Sequence, residues 1–497
     1  MFGIEQNAHD GLAHAMARYT GLSAIFVGAI ELMPLAMIPF DPDDQVLAPC
    51  FIFPGLCTMA FGYLVYFARG KGKIEQPLDK RSSGACMLGV WLLAIVVYAV
   101  PFVAAGILDP FQALFESTSG LTTTGLSIVD VDSCPRIFLL HRSLMHYFGG
   151  VGLVLVLTVV LNQGKSLQAY NLEGHTDRLM PGAASTARII LVLYTSFIAI
   201  GALAYHLCGM PWFDSVNYSI SAISTGGFTT HATSVAYFDS VPVQVVSIVL
   251  MLIGATNFYL NFLLIKGKFR NVLAHVETRF FYLFIAASTA VVTLAVVAAG
   301  DSTGPASALF TALFQVVSVI TTTGFQTVPA FTVFPPSALF VFMFLMFTGS
   351  EAGSTAGGIK IYRIVVTTAS IIRSLKSIHG HGISTRAVKI NKFGKRMALS
   401  REEMDGALSF VIVYTGVFVV GSFVFSLCGA SIGDAVFDFA SCLGNVGVGI
   451  GFINPGSSPL VLMTGALGML LGRLEIIPVF SEIHWLVTMI RRGGGRL

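Results

Sequence analysis

Residues 119–127 read SGLTTTGLS, a polar and flexible run in a chain that is mostly hydrocarbon. The pattern returns as SAISTGGFT at 221–229, SVITTTGFQ at 318–326 and SCLGNVGVG at 441–449. Aligned on Gly125, Gly227, Gly324 and Gly447, every copy has serine six residues earlier: Ser119, Ser221, Ser318 and Ser441. Four residues earlier stands Leu121, Ile223, Ile320 or Leu443, and the next residue is Leu126, Phe228, Phe325 or Val448. The copies recur at intervals of about a hundred residues, the mark of an internal repeat. One Thr/Gly run reads as an ordinary turn between helices. Four at matching places do not.

Working outward, each run closes a short apolar stretch, at 110–121, 213–224, 305–320 and 433–443. These are too short to cross a bilayer, which takes about 20 apolar residues, so they are expected to enter from one face and stop midway. Long apolar spans flank them. Ten candidates lie near 21–39, 50–68, 84–107, 137–162, 187–209, 241–265, 280–300, 335–372 (interrupted), 405–429 and 458–490. The expected unit is helix, short re-entrant helix, loop, helix. The fold class is therefore an all-α polytopic membrane protein: ten transmembrane helices and four re-entrant helices, in four matching repeats. The expected segments are a two-helix extension over 1–78, then pore repeats at 79–164, 165–268, 269–398 and 399–497.

Composition agrees. Over 497 residues the chain is 55% hydrophobic and 11% charged, with a mean hydropathy of +0.78. That is too little charge for a water-facing surface of this size, where about 25% is usual. Charge placement gives orientation. All lysines and arginines except Arg136, Arg142 and Arg473 fall in the N-terminal tail or in or beside 69–81, 165–188, 266–279, 360–401 and 491–496. The positive-inside rule makes those segments, and both termini, cytoplasmic. The opposite loops carry PFDPDDQ, Asp109, Asp130, Asp132, Asp214, Asp239, Asp301 and Asp434, so the short helices dip in from outside. The first apolar run contains Glu31 and lacks a convincing cleavage site, so the N-terminus is expected to remain.

Non-helical backbone at membrane depth survives only where it is buried in protein or lines water. Such a segment exposes carbonyl oxygens, and rings of carbonyls can replace the hydration shell of an alkali cation. Glycine permits backbone angles that turn successive carbonyls inward, and threonine adds a hydroxyl acceptor. Neither carries a formal charge. Asp109, Asp214 and Asp434, near the starts of three short helices, suit N-capping better than ion attraction.

The four-unit plan, with HRSLMHYFGGVGLVLV (141–156), STGGFTTH (224–231), TGSEAGSTAGGIKIYR (348–363) and GRLEIIPV (472–479), resembles the superfamily of Trk, Ktr and HKT potassium transporters. It is most similar to the bacterial TrkH/TrkG-type membrane subunit. The resemblance covers nearly the whole chain. It implies potassium uptake across the bacterial inner membrane through a single-chain pore. Potassium would sit in a filter made by Thr123, Thr124 and Gly125; Thr225, Gly226 and Gly227; Thr322, Thr323 and Gly324; and Asn445, Val446 and Gly447. The fourth copy departs from TTTG, which makes the hydroxyl contribution asymmetric and leaves sodium as the second candidate ion. The resemblance also implies an intramembrane gating loop at 348–358 with Gly349, Gly353, Gly357 and Gly358, and a pore-facing Arg473 acting as an electrostatic barrier. The simpler readings are a helix that ends early and a salt bridge from Arg473 to Glu475 or Glu351. Its partners would be a second copy in a homodimer and a cytosolic nucleotide-binding regulatory subunit of the Trk system. The basic stretch 373–401 suits that subunit or anionic membrane lipid.

Other chemistry finds little footing. Seven cysteines form no metal spacing and read as packing, with Cys50 and Cys134 the one pair to consider for a disulfide. His379 and His381 in a Gly-rich loop are weak metal ligands. No nucleophile motif or GxGxxG is present, so neither catalysis nor nucleotide binding by this chain is expected, and no nucleic-acid partner. A sodium- or proton-coupled secondary transporter of a solute is the alternative, since broken helices occur there too.

Overall fold

The computed structural model describes residues 2–70, 80–153, 183–300, 304–379 and 389–493. Helices α1 (Phe2–Glu31) and α2 (Ala48–Val65) form an N-terminal pair. A Cβ on Gly21 or Gly28 of α1, or on Gly62 of α2, would meet the partner helix's backbone, so small residues let the two approach closely. The chain continues through α3 (Lys80–Ala104), α4 (Pro110–Leu121) and α5 (Arg136–Val151), then α6 (Ala183–Leu207), α7 (Trp212–Ile223), α8 (Val241–Ala255) and α9 (Phe258–Ile265). Next come α10 (Phe269–Ala274), α11 (Val276–Ala298), α12 (Pro305–Ile320) and α13 (Pro336–Thr348). The last helices are α14 (Ile361–His379), α15 (Arg401–Leu427), α16 (Ile432–Gly444), α17 (Pro459–Arg473) and α18 (Ile476–Gly493).

The short helices α4, α7, α12 and α16 share one packing scheme. Each lies between the long helix before it and the helix after it: α3 and α5, α6 and α8, α11 and α13, α15 and α17. Each following helix also packs on the next short helix: α5 on α7, α8 on α12, α13 on α16. Helix α17 returns to α4 and closes the circle. One continuous hydrophobic core fills the spaces between them.

Among the described residues, six helices are long and apolar enough to cross a membrane, or eight if two sharply bent pairs each count as one span. The expected spans 241–265 and 458–490 are the bent ones. The first turns by 113° between Ala255 and Phe258, where the Asn257 side chain accepts from the Tyr259 N–H and starts a new helix. The second turns by 103° around Glu475, whose φ of 56° is left-handed and stops helical propagation. Of the other expected spans, 137–162 leaves the described residues after 153, and 335–372 is interrupted as expected, α13 ending at Thr348. Large apolar side chains such as Phe53, Phe61, Ile200, Leu203, Val420 and Phe423 face outward, as a lipid-facing surface requires. The chain is a multi-pass helical membrane protein.

One expectation is corrected here, the capping by Asp214 and Asp434, and the all-α reading gains a detail. The all-α reading misses a small antiparallel hairpin, β1 (Lys389–Lys392) and β2 (Lys395–Ala398), in the basic 373–401 stretch. Its two-residue turn puts Phe393 and Gly394 at φ 54° and 83°, the geometry that a tight hairpin prefers. Asp109 caps α4 as expected, accepting from the Phe111 and Gln112 amides in a capping box. Asp214 and Asp434 do not cap: each sits in the first turn, after Pro211 and Ser431 respectively, and Ser431 caps α16. Asp214 instead accepts the Thr230 hydroxyl at 2.6 Å. Their negative charge still complements the helix N-terminus. Cys50 and Cys134 are both free thiols, and burial pushes the Cys134 thiol up to about 12, away from reactive thiolate chemistry. His379 ends α14, but its side chain and His381 lie outside the described residues, as do the segment boundaries at 78 and 164.

Candidate functional site

At the end of each short helix the backbone makes the same excursion. Thr123, Thr225, Thr322 and Asn445 have φ of 53°, 53°, 56° and 53°. Two residues on, Gly125, Gly227, Gly324 and Gly447 have φ of 86°, 83°, 83° and 89°. The residues between them stay on the ordinary side, so handedness alternates along each segment. Left-handed φ costs a threonine energy that the surrounding structure must hold in place, and it gathers at functional sites. The hold is visible. The amide of the intervening residue (Thr124, Gly226, Thr323 or Val446) donates to the carbonyl of Ser119, Ser221, Ser318 or Ser441. The serine shared by all four sequence copies is thus the backbone anchor of the segment. The Ser221 and Ser318 hydroxyls also donate to the Phe228 and Phe325 carbonyls, at 2.6 and 2.7 Å.

The four segments meet. A Cβ on Gly125 would run into the Gly226 carbonyl oxygen, and one on Gly227 into that of Thr323. One on Gly324 would strike the Val446 oxygen, and one on Gly447 that of Thr124. Each glycine therefore touches the next segment's carbonyl, and the fourth touches the first. The result is a closed ring of uncharged oxygens that excludes any side chain at the glycines. All twelve residues named from the sequence at these segments come together here. The Thr122 and Thr124 hydroxyls lie 2.8 Å apart, and those of Thr321 and Thr323 2.9 Å, while Asn445 Nδ2 donates to Thr124 Oγ1 at 2.9 Å.

Residues 349–358 fold into a loop against the base of this ring. Gly349, Gly353 and Gly358 have φ of 61°, 75° and 77°, and Gly349 packs directly on Gly357 and Gly358. The Gly357 amide donates to Thr322 Oγ1 at 2.9 Å, and Thr225 Oγ1 donates to Thr355 Oγ1 at 3.1 Å. Gly357 also abuts the Gly444 carbonyl. The loop is anchored from behind as well: Glu351 accepts the Asn257 amide and the Thr278 hydroxyl, and Glu277 accepts the Ala352 amide. Arg473 donates to the Thr355 carbonyl at 2.5 Å and to those of Gly149 and Gly150 at 2.5 and 3.0 Å. Of the carboxylates considered for it, Glu475 pairs with Arg363 at 2.7 Å and Glu351 is held as described. Arg473 thus joins the loop to the end of α5.

The stretch HRSLMHYFGG holds two further residues, Arg142 and His146, to which the sequence pattern gives no role. Both brace the ring from outside. Arg142 pairs with Glu116 at 2.8 Å, donates to the Thr229 carbonyl at 3.1 Å, and lies 3.9 Å over the Phe228 ring. His146 bridges the Gly120 carbonyl at Nδ1 and the Phe228 amide at Nε2, which assigns the proton to Nδ1. Charged and polar groups inside a membrane span are costly, and that cost was the available signal.

Residues 51–484 match the family described as TrkH, cation transport protein. The chain belongs to the TrkH family of cation transport proteins. It is 30% identical to the Trk system potassium uptake protein TrkH of Salmonella typhimurium, over 95% of this chain and 99% of that one. It is 31% identical to the Vibrio parahaemolyticus protein of the same name, over 93% and 96%. The crystal structure of the potassium transporter TrkH from Vibrio parahaemolyticus superposes with a TM-score of 0.83 at 28% identity, covering 94% of this chain and 97% of that one. Membership of the TrkH family makes this chain a transport protein, with a helical fold shared along nearly its full length.

Proposed function

We propose that this chain takes up potassium across the bacterial inner membrane through one pore enclosed by four helix–pore-helix–helix units. The observation that carries the reading is the closed ring of segments with alternating backbone hand. Uncharged carbonyls held rigidly around one axis replace a univalent cation's water shell without trapping it, as a carboxylate ring would trap a divalent one. Thr123 to Gly125, Thr225 to Gly227, Thr322 to Gly324 and Asn445 to Gly447 form the potassium filter. The bent and interrupted spans, together with 137–162, complete ten crossings, with both termini cytoplasmic and units at 79–164, 165–268, 269–398 and 399–497 after a two-helix extension. Loop 348–358 is the gate, and Arg473, set among carbonyls beside it, is the electrostatic barrier. A homodimer on a cytosolic nucleotide-binding regulatory subunit is the proposed assembly, and the basic hairpin region faces that subunit or anionic lipid.

The test is flux of potassium and sodium into liposomes holding the purified protein. Wild type is expected to favour potassium. In Gly125→Ser the new Cβ meets the Gly226 carbonyl and occupies an unfavourable φ, so discrimination is expected to fall about tenfold or more. Cation movement that occurs only with a co-transported solute would instead establish the coupled transporter.

A further inference from the structure

Nine residues before each ring glycine stands a side chain that the repeat pattern does not reveal, because its chemistry differs in every unit: Glu116, Tyr218, Gln315 and Asp438. All four are buried, at 0%, 0%, 0% and 1% exposure. All four reach forward from the short helix to the chain that follows the ring glycine, Tyr218 reaching farthest, to the 3₁₀ turn that begins at Ser234. Glu116 accepts the Ser127 hydroxyl at 2.9 Å and the Ile128 amide at 3.1 Å. Tyr218 donates to the Ser234 carbonyl at 3.0 Å. Gln315 donates to the Thr327 hydroxyl at 3.0 Å. Asp438 takes the Ile450, Phe452 and Ile453 amides at 2.8, 3.1 and 3.2 Å.

We propose that these four residues are positioning residues for ion selectivity, with Asp438 the decisive one. The inference rests on the filter reading above. Each filter segment is fixed at its base by the serine carbonyl; the nine-before residue fixes its exit. Together they set how far the carbonyls can close on an ion, and that limit separates potassium from the smaller sodium. The fourth segment has the strongest such hold. Units one and three carry a hydroxyl pair within the segment, Thr122–Thr124 and Thr321–Thr323. The second and the fourth have no such pair, and the fourth reads GNVG. Its exit strand is instead held by a buried carboxylate bonded to three amides, the strong, charge-assisted form of the contact.

The experiment measures ion-dependent thermal stability of the full chain in detergent, which needs no open gate. A ligand bound only by the folded state raises the melting temperature. Wild type is expected to gain more from potassium than from sodium. In Asp438→Asn one side-chain oxygen becomes a donor facing amide donors, and the potassium-over-sodium preference in apparent affinity is expected to fall about tenfold. Gln315→Met, which loses only the Thr327 contact, is expected to lose less, and it stands in if Asp438→Asn does not fold. Tyr205→Phe breaks a bond to Ser247 between α6 and α8, so it lowers the melting temperature in both salts and keeps the preference. A wild-type preference retained in both Asp438→Asn and Gln315→Met would overturn the positioning role while leaving the filter intact. A wild type indifferent to the two ions would overturn the filter, and this inference with it.

Discussion

His146 shows how much one side chain holds in place behind the ring. It donates to the last turn of one short helix and accepts the amide that follows Gly227 in the next unit. Removing it strands a buried carbonyl and a buried amide, at about 1–3 kcal/mol each. His146→Leu is expected to melt several degrees below wild type and to discriminate less between potassium and sodium. His146→Gln, with a donor and an acceptor on similar reach, is expected to recover part of both; equal losses in the two variants would count against the bridge. At this scale the sequence was partly legible. The serine, threonine and glycine positions repeat in type, so alignment exposes them. His146, Arg142 and the four exit-strand holders do not, because each unit meets the same geometric need with different chemistry.

The loop between α13 and α14 behaves as an element. Its glycines were visible as helix breakers, but its seat was not, since the groups that anchor it (Asn257, Glu277, Thr278 and Arg473) come from two other helix ends and the bend between α8 and α9. Deleting 349–357 removes the contacts to Thr225 and Thr322 together, and resting cation flux in liposomes is expected to rise severalfold; an unchanged rate would argue against a gate. The hairpin lies one step behind. Phe393 stacks on His275, centroids 4.8 Å apart, and its amide donates to Nδ1, while the far side of that imidazole lies 3.3 Å from Glu277. His275→Ala is therefore expected to speed hydrogen exchange at the Phe393 amide without altering that of α15; protection that persists would show the hairpin is held elsewhere. The hairpin escaped sequence reading because its strands are short and mostly polar, without an apolar alternation to mark them.

For the molecule as a whole, hydropathy and repeat spacing were enough to predict helices, a membrane and four related units. They could not show the two bends, since 241–265 and 458–490 are apolar straight through the turn and only local capping breaks them. Nor could they show the packing of α17 on α4 that completes the circle. Because that contact joins a late helix to an early one, it has a bearing on how the protein is made. A ribosome delivers the first three units into the membrane before the fourth exists. Until α17 has been synthesised, the enclosure is missing a wall. For the pore proposed above, the order of synthesis alone guards against a premature leak, and premature termination leaves an incomplete wall.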